Sequence, residues 1–105
     1  MTENTVQWLT EVLIDFRESR GWGRHHTPEN LAKSICIEAA ELLECYQWGD
    51  EDLDPYNIEE EVADVAIYLL LFCHEAGVDL EQAMTNKVKY NGEKYPIDND
   101  KQSAL

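Results

Sequence analysis

Apolar positions recur at three- and four-residue steps in four stretches of this chain, and each stretch predicts an amphipathic helix. The first runs from about Glu3 to Ser19. Val6, Leu9, Leu13 and Phe16 form its stripe, and Gly21 and Gly23 end it with Trp22 between them. The second opens at Thr27-Pro28-Glu29-Asn30. Thr27 suits the N-cap and Pro28 the first helical position, while Asn30 stands at N3, where Glu or Gln would complete a capping box. This helix continues through Leu31, Ile35, Leu42 and Tyr46 and stops near Gly49. Asp50 to Asn57, with Pro55 and four acids, reads as a solvated connection. The third helix begins near Ile58 and runs to about Glu75, with Gly77 at the C′ position. It is apolar nearly all round from Val65 to Cys73, which predicts a central helix. The fourth follows Asp79, with Leu80, Ala83, Met84 and Val88 as its stripe. Asp79 caps it, Gln82 sits at the offset that completes a capping box, and Gly92 and Pro96 bring it to an end. No strand pattern, repeat or low-complexity tract interrupts this order. The predicted fold is all-α: a four-helix bundle-type protomer over residues 1–97, with a polar, frayed tail over 98–105.

Two carboxylate pairs break the apolar pattern. Glu38-Ala39-Ala40-Glu41 lies on the second helix and Glu61-Val62-Ala63-Asp64 on the third. Three residues are about one helical turn, so each pair projects from one face. Ile35, Ile37, Leu42 and Leu43 flank the first pair, and Val62, Val65 and Ala66 the second. The ordinary reading of such spacing is a solvated helix face. Its duplication on two apolar-rich helices, with few bases nearby, argues otherwise, because acids bordering a core are costly unless paired or metal-bound. Two facing helices holding a hard cation between Glu38, Glu41, Glu61 and Asp64 account for the pattern. Glu44, three residues beyond Glu41, is a fifth acid on the same face. Mg²⁺ suits such oxygen ligands, with Mn²⁺ as a substitute.

Charge narrows the function further. The chain has 22 acids against 8 bases, a formal net charge of −14. This disfavours duplex nucleic acid or an anionic membrane as partner, though not a free nucleotide whose charge a metal offsets. At 105 residues one domain is expected, with a modest core that favours a homo-oligomer. Cys36, Cys45 and Cys73 are odd in number and lack CxxC spacing, so they read as buried free thiols in a reducing cytoplasm. Met1 to Thr10 lacks the basic start and apolar run of a signal peptide, and Val65 to Cys73 is too short to span a bilayer. A cytoplasmic protein is expected.

Three blocks together resemble the MazG-like nucleotide pyrophosphohydrolases. Asn30-Leu31-Ala32-Lys33-Ser34, leading to Glu38-Ala39-Ala40-Glu41-Leu42-Leu43-Glu44 and then Gln47-Trp48, is similar to the family's first motif. Glu60-Glu61-Val62-Ala63-Asp64-Val65-Ala66-Ile67-Tyr68-Leu69 resembles the second. Gly77-Val78-Asp79-Leu80, then Lys87, Asn91, Lys94, Tyr95 and Pro96, resembles the closing motif. The resemblance spans roughly Trp22 to Pro96, with the blocks in order and no departure at the four acids. It implies an all-α NTP pyrophosphatase fold and Mg²⁺-dependent hydrolysis of a (d)NTP between its α- and β-phosphates. It implies that Glu38, Glu41, Glu61 and Asp64 hold the metal. It implies that Trp22, Trp48 and Tyr68 help enclose the base, and that Lys87, Asn91, Lys94 and Tyr95 lie near the phosphates. It also implies a homodimer or a dimer of dimers with sites near subunit interfaces.

The residues themselves add further candidates. Glu41 or Glu44 would take a proton from the attacking water, and the sequence does not choose between them. Lys87 and Lys94, seven residues apart, share a helix face if the helix continues that far. Lys33 joins them as a candidate substrate contact. Tyr68, one turn after Asp64, can look into the same cavity. His26 is a candidate substrate contact from the loop before Thr27, whereas Trp8 reads as a packing or interface residue. Two rivals stand beside the expected nucleotide-pool house-cleaning enzyme: a phosphoribosyl-ATP pyrophosphohydrolase, and a non-catalytic acidic helical interaction module.

Overall fold

The computed structural model describes residues 5–49 and 53–97. Four α-helices follow one another: α1 (Thr5–Glu18), α2 (Pro28–Glu44), α3 (Pro55–Ala76) and α4 (Leu80–Lys94). A single 3-10 turn, Gly23–His25, stands between α1 and α2, and no strand occurs among the described residues. The all-α expectation holds. The expected start of the first helix at Glu3, part of the acidic connection (residues 50–52) and the tail over 98–105 lie outside the described residues.

Local chemistry sets the helix ends. Thr27 Oγ1 accepts the Asn30 N–H at 3.1 Å, and Pro28 occupies the first turn of α2. The Asn30 side chain does not return to the cap; its Nδ2 donates to the His25 carbonyl at 3.1 Å and ties the 3-10 turn to α2. α2 ends at Glu44, short of Tyr46. Cys45, Tyr46 and Gln47 then form successive three-residue turns on Leu42, Leu43 and Glu44. α3 starts at Pro55, three residues before the expected Ile58. Pro55 reads as a loop marker in sequence, but here it follows an N-cap, Asp54, whose Oδ1 accepts the Tyr56 N–H at 3.0 Å. Gly77 closes α3 in the left-handed region (φ 70°), where its missing Cβ removes the strain. Asp79 caps α4 through the Gln82 N–H at 3.0 Å. The reciprocal half of the expected capping box does not form, and the Gln82 side chain lies along the helix with its Nε2 donating to Asn86 Oδ1 at 2.8 Å. Gly92 does not stop α4, which runs through it to Lys94.

α2 and α3 pack face to face, and α1 lies against α3, so α3 is central as its apolar circumference predicts. α4 makes only sparse contact with the other three. Among the described residues only Leu31, Leu71 and Cys73 are buried apolar side chains. Part of the α1 stripe (Leu9, Phe16) and of the α4 stripe (Met84, Val88) faces solvent in the single chain. The expectation of three buried thiols is corrected: Cys73 is buried, Cys45 is half-buried and Cys36 is exposed, all three free. Cys36 lies on α2 at an exposed position.

Candidate active site

Helix α2 carries Glu38, Glu41 and Glu44, and helix α3 carries Glu61 and Asp64. Because these two helices form the main packed pair, their acids meet at the seam. Glu38, Glu61 and Asp64 each bring a carboxylate oxygen within 4.8 Å of the other two, and all three side chains are half-buried. Glu38 Oε2 and Glu61 Oε2 are buried with no hydrogen-bond partner. Buried carboxylate oxygens without donors are costly, and a cation is the simplest group that satisfies several at once.

The electrostatics report the same crowding. The Glu38 carboxyl is pushed up to about 7, chiefly by a hydrogen bond shared with Glu41, then by burial and by the charges of Glu41, Asp64 and Glu61. Glu61 is also raised, first by burial and then by Glu41. Several like charges in one site cannot all ionise cheaply. Glu41 is thus coupled to the cluster from an exposed position, outside the close trio but beside two of its members. The acids and the geometry fit a hard divalent cation such as Mg²⁺, which takes oxygen ligands and keeps waters for the remaining positions.

Acids of the seam line two different hollows. One is an apolar cleft of about 370 Å³ whose walls include Phe16, Trp22, His26, Asp64, Ile67 and Tyr68. Trp22 meets Phe16 edge to face with centroids 5.7 Å apart, and His26 meets Tyr68 edge to face at 6.5 Å. The other is a polar groove of about 410 Å³ lined by Glu41, Glu44, Cys45, Gln47, Asn57 and Glu61. Asp64 therefore faces the aromatic hollow and Glu61 the polar one.

Not every candidate converges on this seam within one chain. Trp48 sits in the turns after α2, 78% exposed and outside the aromatic cleft. Lys33 makes an exposed ion pair with Glu29 at 3.8 Å. Lys87, Asn91 and Lys94 ride on α4, with Tyr95 at its C-terminal end. Lys87 Nζ lies 4.7 Å from the Tyr90 ring centroid, and Lys94 Nζ 5.3 Å from that of Tyr95. Both lysines thus lie beside rings of α4 or of its C-terminal cap.

One residue of the site has no counterpart in the sequence reading. Arg17 is buried at 6% exposure and takes part in ion pairs with Glu18 and Glu75. Its sequence signal is present: Arg17 stands four residues after Leu13, where the stripe calls for an apolar side chain. Glu75 stands likewise four residues after the buried Leu71.

Comparison with known proteins bears on this arrangement directly. A crystal structure of a pyrophosphatase from Archaeoglobus fulgidus superposes with a TM-score of 0.81. It is 41% identical and covers 92% of this chain and 97% of that one. The dCTP pyrophosphatase 1 of Mus musculus is 32% identical over 97% of this chain, and that of Bos taurus 31% over 98%. The chain spans only 65% and 66% of the length of those two proteins. A family model matches residues 33–104, more than half of the chain, and takes in both carboxylate pairs. The facing acid-x-x-acid helices, the superposition and the family match agree, and the chain belongs to the MazG-like family.

Proposed function

We propose that this protein is a Mg²⁺-dependent nucleoside triphosphate pyrophosphohydrolase, cleaving a (d)NTP between its α- and β-phosphates to a monophosphate and pyrophosphate. The observation that carries the reading is the carboxylate seam with its two donorless buried oxygens, whose acids line an aromatic cleft and a polar groove. The names of the relatives support the reaction class and make dCTP the first substrate to try.

Each part of the chain has a role in this account. Trp22, Tyr68 and His26 enclose the base on the Asp64 side, where flat aromatic walls suit stacking. The phosphates lie across the seam toward the groove on the Glu61 side. Glu38, Glu41, Glu61 and Asp64 hold the cation. Mg²⁺, when bound, neutralises phosphate charge and lowers the pKa of a coordinated water. Glu44 lines the groove outside the close trio, and Glu41 borders it; either accepts the proton of the attacking water. Lys87, Asn91, Lys94 and Tyr95 reach the phosphates from a second copy of the chain, since α4 makes only sparse contact with α2 and α3 of its own. Trp48 and Lys33, exposed in one chain, complete the rim in that assembly. The physiological role is control or cleaning of a nucleotide pool. No helix among the described residues is long and apolar enough to cross a membrane.

Product analysis by ³¹P NMR tests the bond assignment. The reading requires monophosphate and pyrophosphate as the first products. Diphosphate with inorganic phosphate would overturn it.

A further inference from the structure

Arg17 spends all three guanidinium nitrogens on different partners. Nε donates to Glu18 Oε1 at 3.1 Å, Nη2 to Glu75 Oε2, and Nη1 faces His26 Nδ1 at 3.5 Å. One buried cation thus touches α1, α3 and the segment leading into α2. The contact to His26 has a chemical consequence. Arginine carries donors only and stays charged at any ordinary pH, so the imidazole nitrogen facing it must be an acceptor. A neutral imidazole with an unprotonated Nδ1 carries its hydrogen on Nε2. Burial and the Arg17 charge both lower the His26 pKa, which keeps the ring neutral near pH 7. His26 lines the aromatic cleft beside Tyr68, and its Nε2 has no hydrogen-bond partner among the described residues.

We infer that Arg17 is a positioning residue that fixes His26 as the Nε2–H tautomer, so that the cleft presents a hydrogen-bond donor and selects a base turning an acceptor toward it. The class of base is one with a carbonyl oxygen or an unprotonated ring nitrogen at that edge; a base offering an N–H there meets donor against donor. This selectivity rests on the reading of the cleft as the base site. The tautomer does not, because it follows from Arg17 and His26 alone. Glu75 and Glu18 hold the guanidinium in place but touch neither the ring nor the cleft.

The first measurement needs neither substrate nor variant. Long-range ¹H–¹⁵N correlation of the histidine rings in the wild-type protein at pH 7 should report His26 with Nε2 protonated and Nδ1 bare. A protonated Nδ1 overturns the inference, whatever the enzyme assays show. The second compares Arg17→Met with Glu75→Gln, each shown to be folded by circular dichroism. Arg17→Met should lose the single-tautomer signature and raise KM for the preferred nucleotide about tenfold with kcat nearly unchanged. Glu75→Gln should lower Tm while keeping both tautomer and KM. A merely structural Arg17 would give the same tautomer in both variants, and that result would also overturn the inference. If Arg17→Met does not fold, His26→Gln and His26→Asn replace it. The Gln amide reaches nearer the Nε2 position and should retain the lower KM of the two, and equal KM values would count against a donor at that point. A correct tautomer in a protein that hydrolyses no nucleotide would leave the Arg17–His26 relation standing and remove the proposed function instead.

Discussion

At the residue scale the site is a problem in charge. Glu61 and Asp64 raise the cost of ionising Glu38, Asp64 raises it for Glu61 as well, and Glu41 adds its own charge from the solvent side. Removing one of these charges should cost activity without costing the metal-free fold. Glu41→Gln is expected to lower Mg²⁺-dependent hydrolysis by at least about 10²-fold. The same variant should leave the metal-free Tm equal to or above wild type; a large drop in that Tm would contradict a metal role for the cluster. The raised Glu38 group also gives stability a definite pH slope. Between its ordinary value of 4.5 and about 7, the folded chain keeps a proton that the unfolded chain has released. Metal-free stability contributed by this group therefore falls as pH rises through that window. Thermal melts from pH 5 to 8 without metal should show the decline, Glu38→Gln should flatten it, and Mg²⁺ should reverse it. The acid cluster was legible in sequence because two identical spacings on apolar helices are hard to explain as solvated faces, though only Glu38, Glu61 and Asp64 of the four form the close trio. Arg17 was not, because a single basic residue on a stripe looks like a surface side chain until its two glutamates and His26 are brought to it by the fold.

At the element scale, periodicity located all four helices, and their errors lie at the ends. Pro55 is the instructive case. A proline among acids reads as loop, yet the same residue is at home one position after a capping Asp. That start matters to the site, since it sets the helix from which Glu61 and Asp64 project. Asp54→Ala should cost about 1 kcal/mol of stability by denaturant unfolding, while a change near zero would mean the cap contributes nothing. Gln82 and Asn30 show the opposite failure. Each stands where a capping partner belongs, yet the bond each makes is a donation from its amide nitrogen to a different residue, Asn30 to the His25 carbonyl and Gln82 to Asn86. Sequence spacing identifies who can bond, but the geometry of the first turn decides which bond forms.

At the scale of the whole molecule the single chain looks unfinished. Three buried apolar side chains among the described residues are few for a protein of this length, and its radius of gyration, 17.1 Å, exceeds the roughly 13 Å of a compact domain of this size. The half-open stripes of α1 and α4 fit an assembly in which another copy covers them. Sedimentation equilibrium should return at least twice the chain mass of 12.1 kDa; a stable monomer would contradict the placement of the α4 lysines at a neighbour's phosphates. This is the part of the site least legible in sequence. Hydrophobic spacing predicts that a stripe is covered, but not by which chain. The central claim remains the carboxylate seam, and it is tested most directly by pyrophosphate release from a panel of NTPs and dNTPs, with Mg²⁺ and with EDTA, beside Asp64→Ala. The account expects release that requires Mg²⁺, vanishes in EDTA and falls to background in folded Asp64→Ala. Metal-independent release, full activity in Asp64→Ala, or no release from any nucleotide by folded wild-type protein would contradict it.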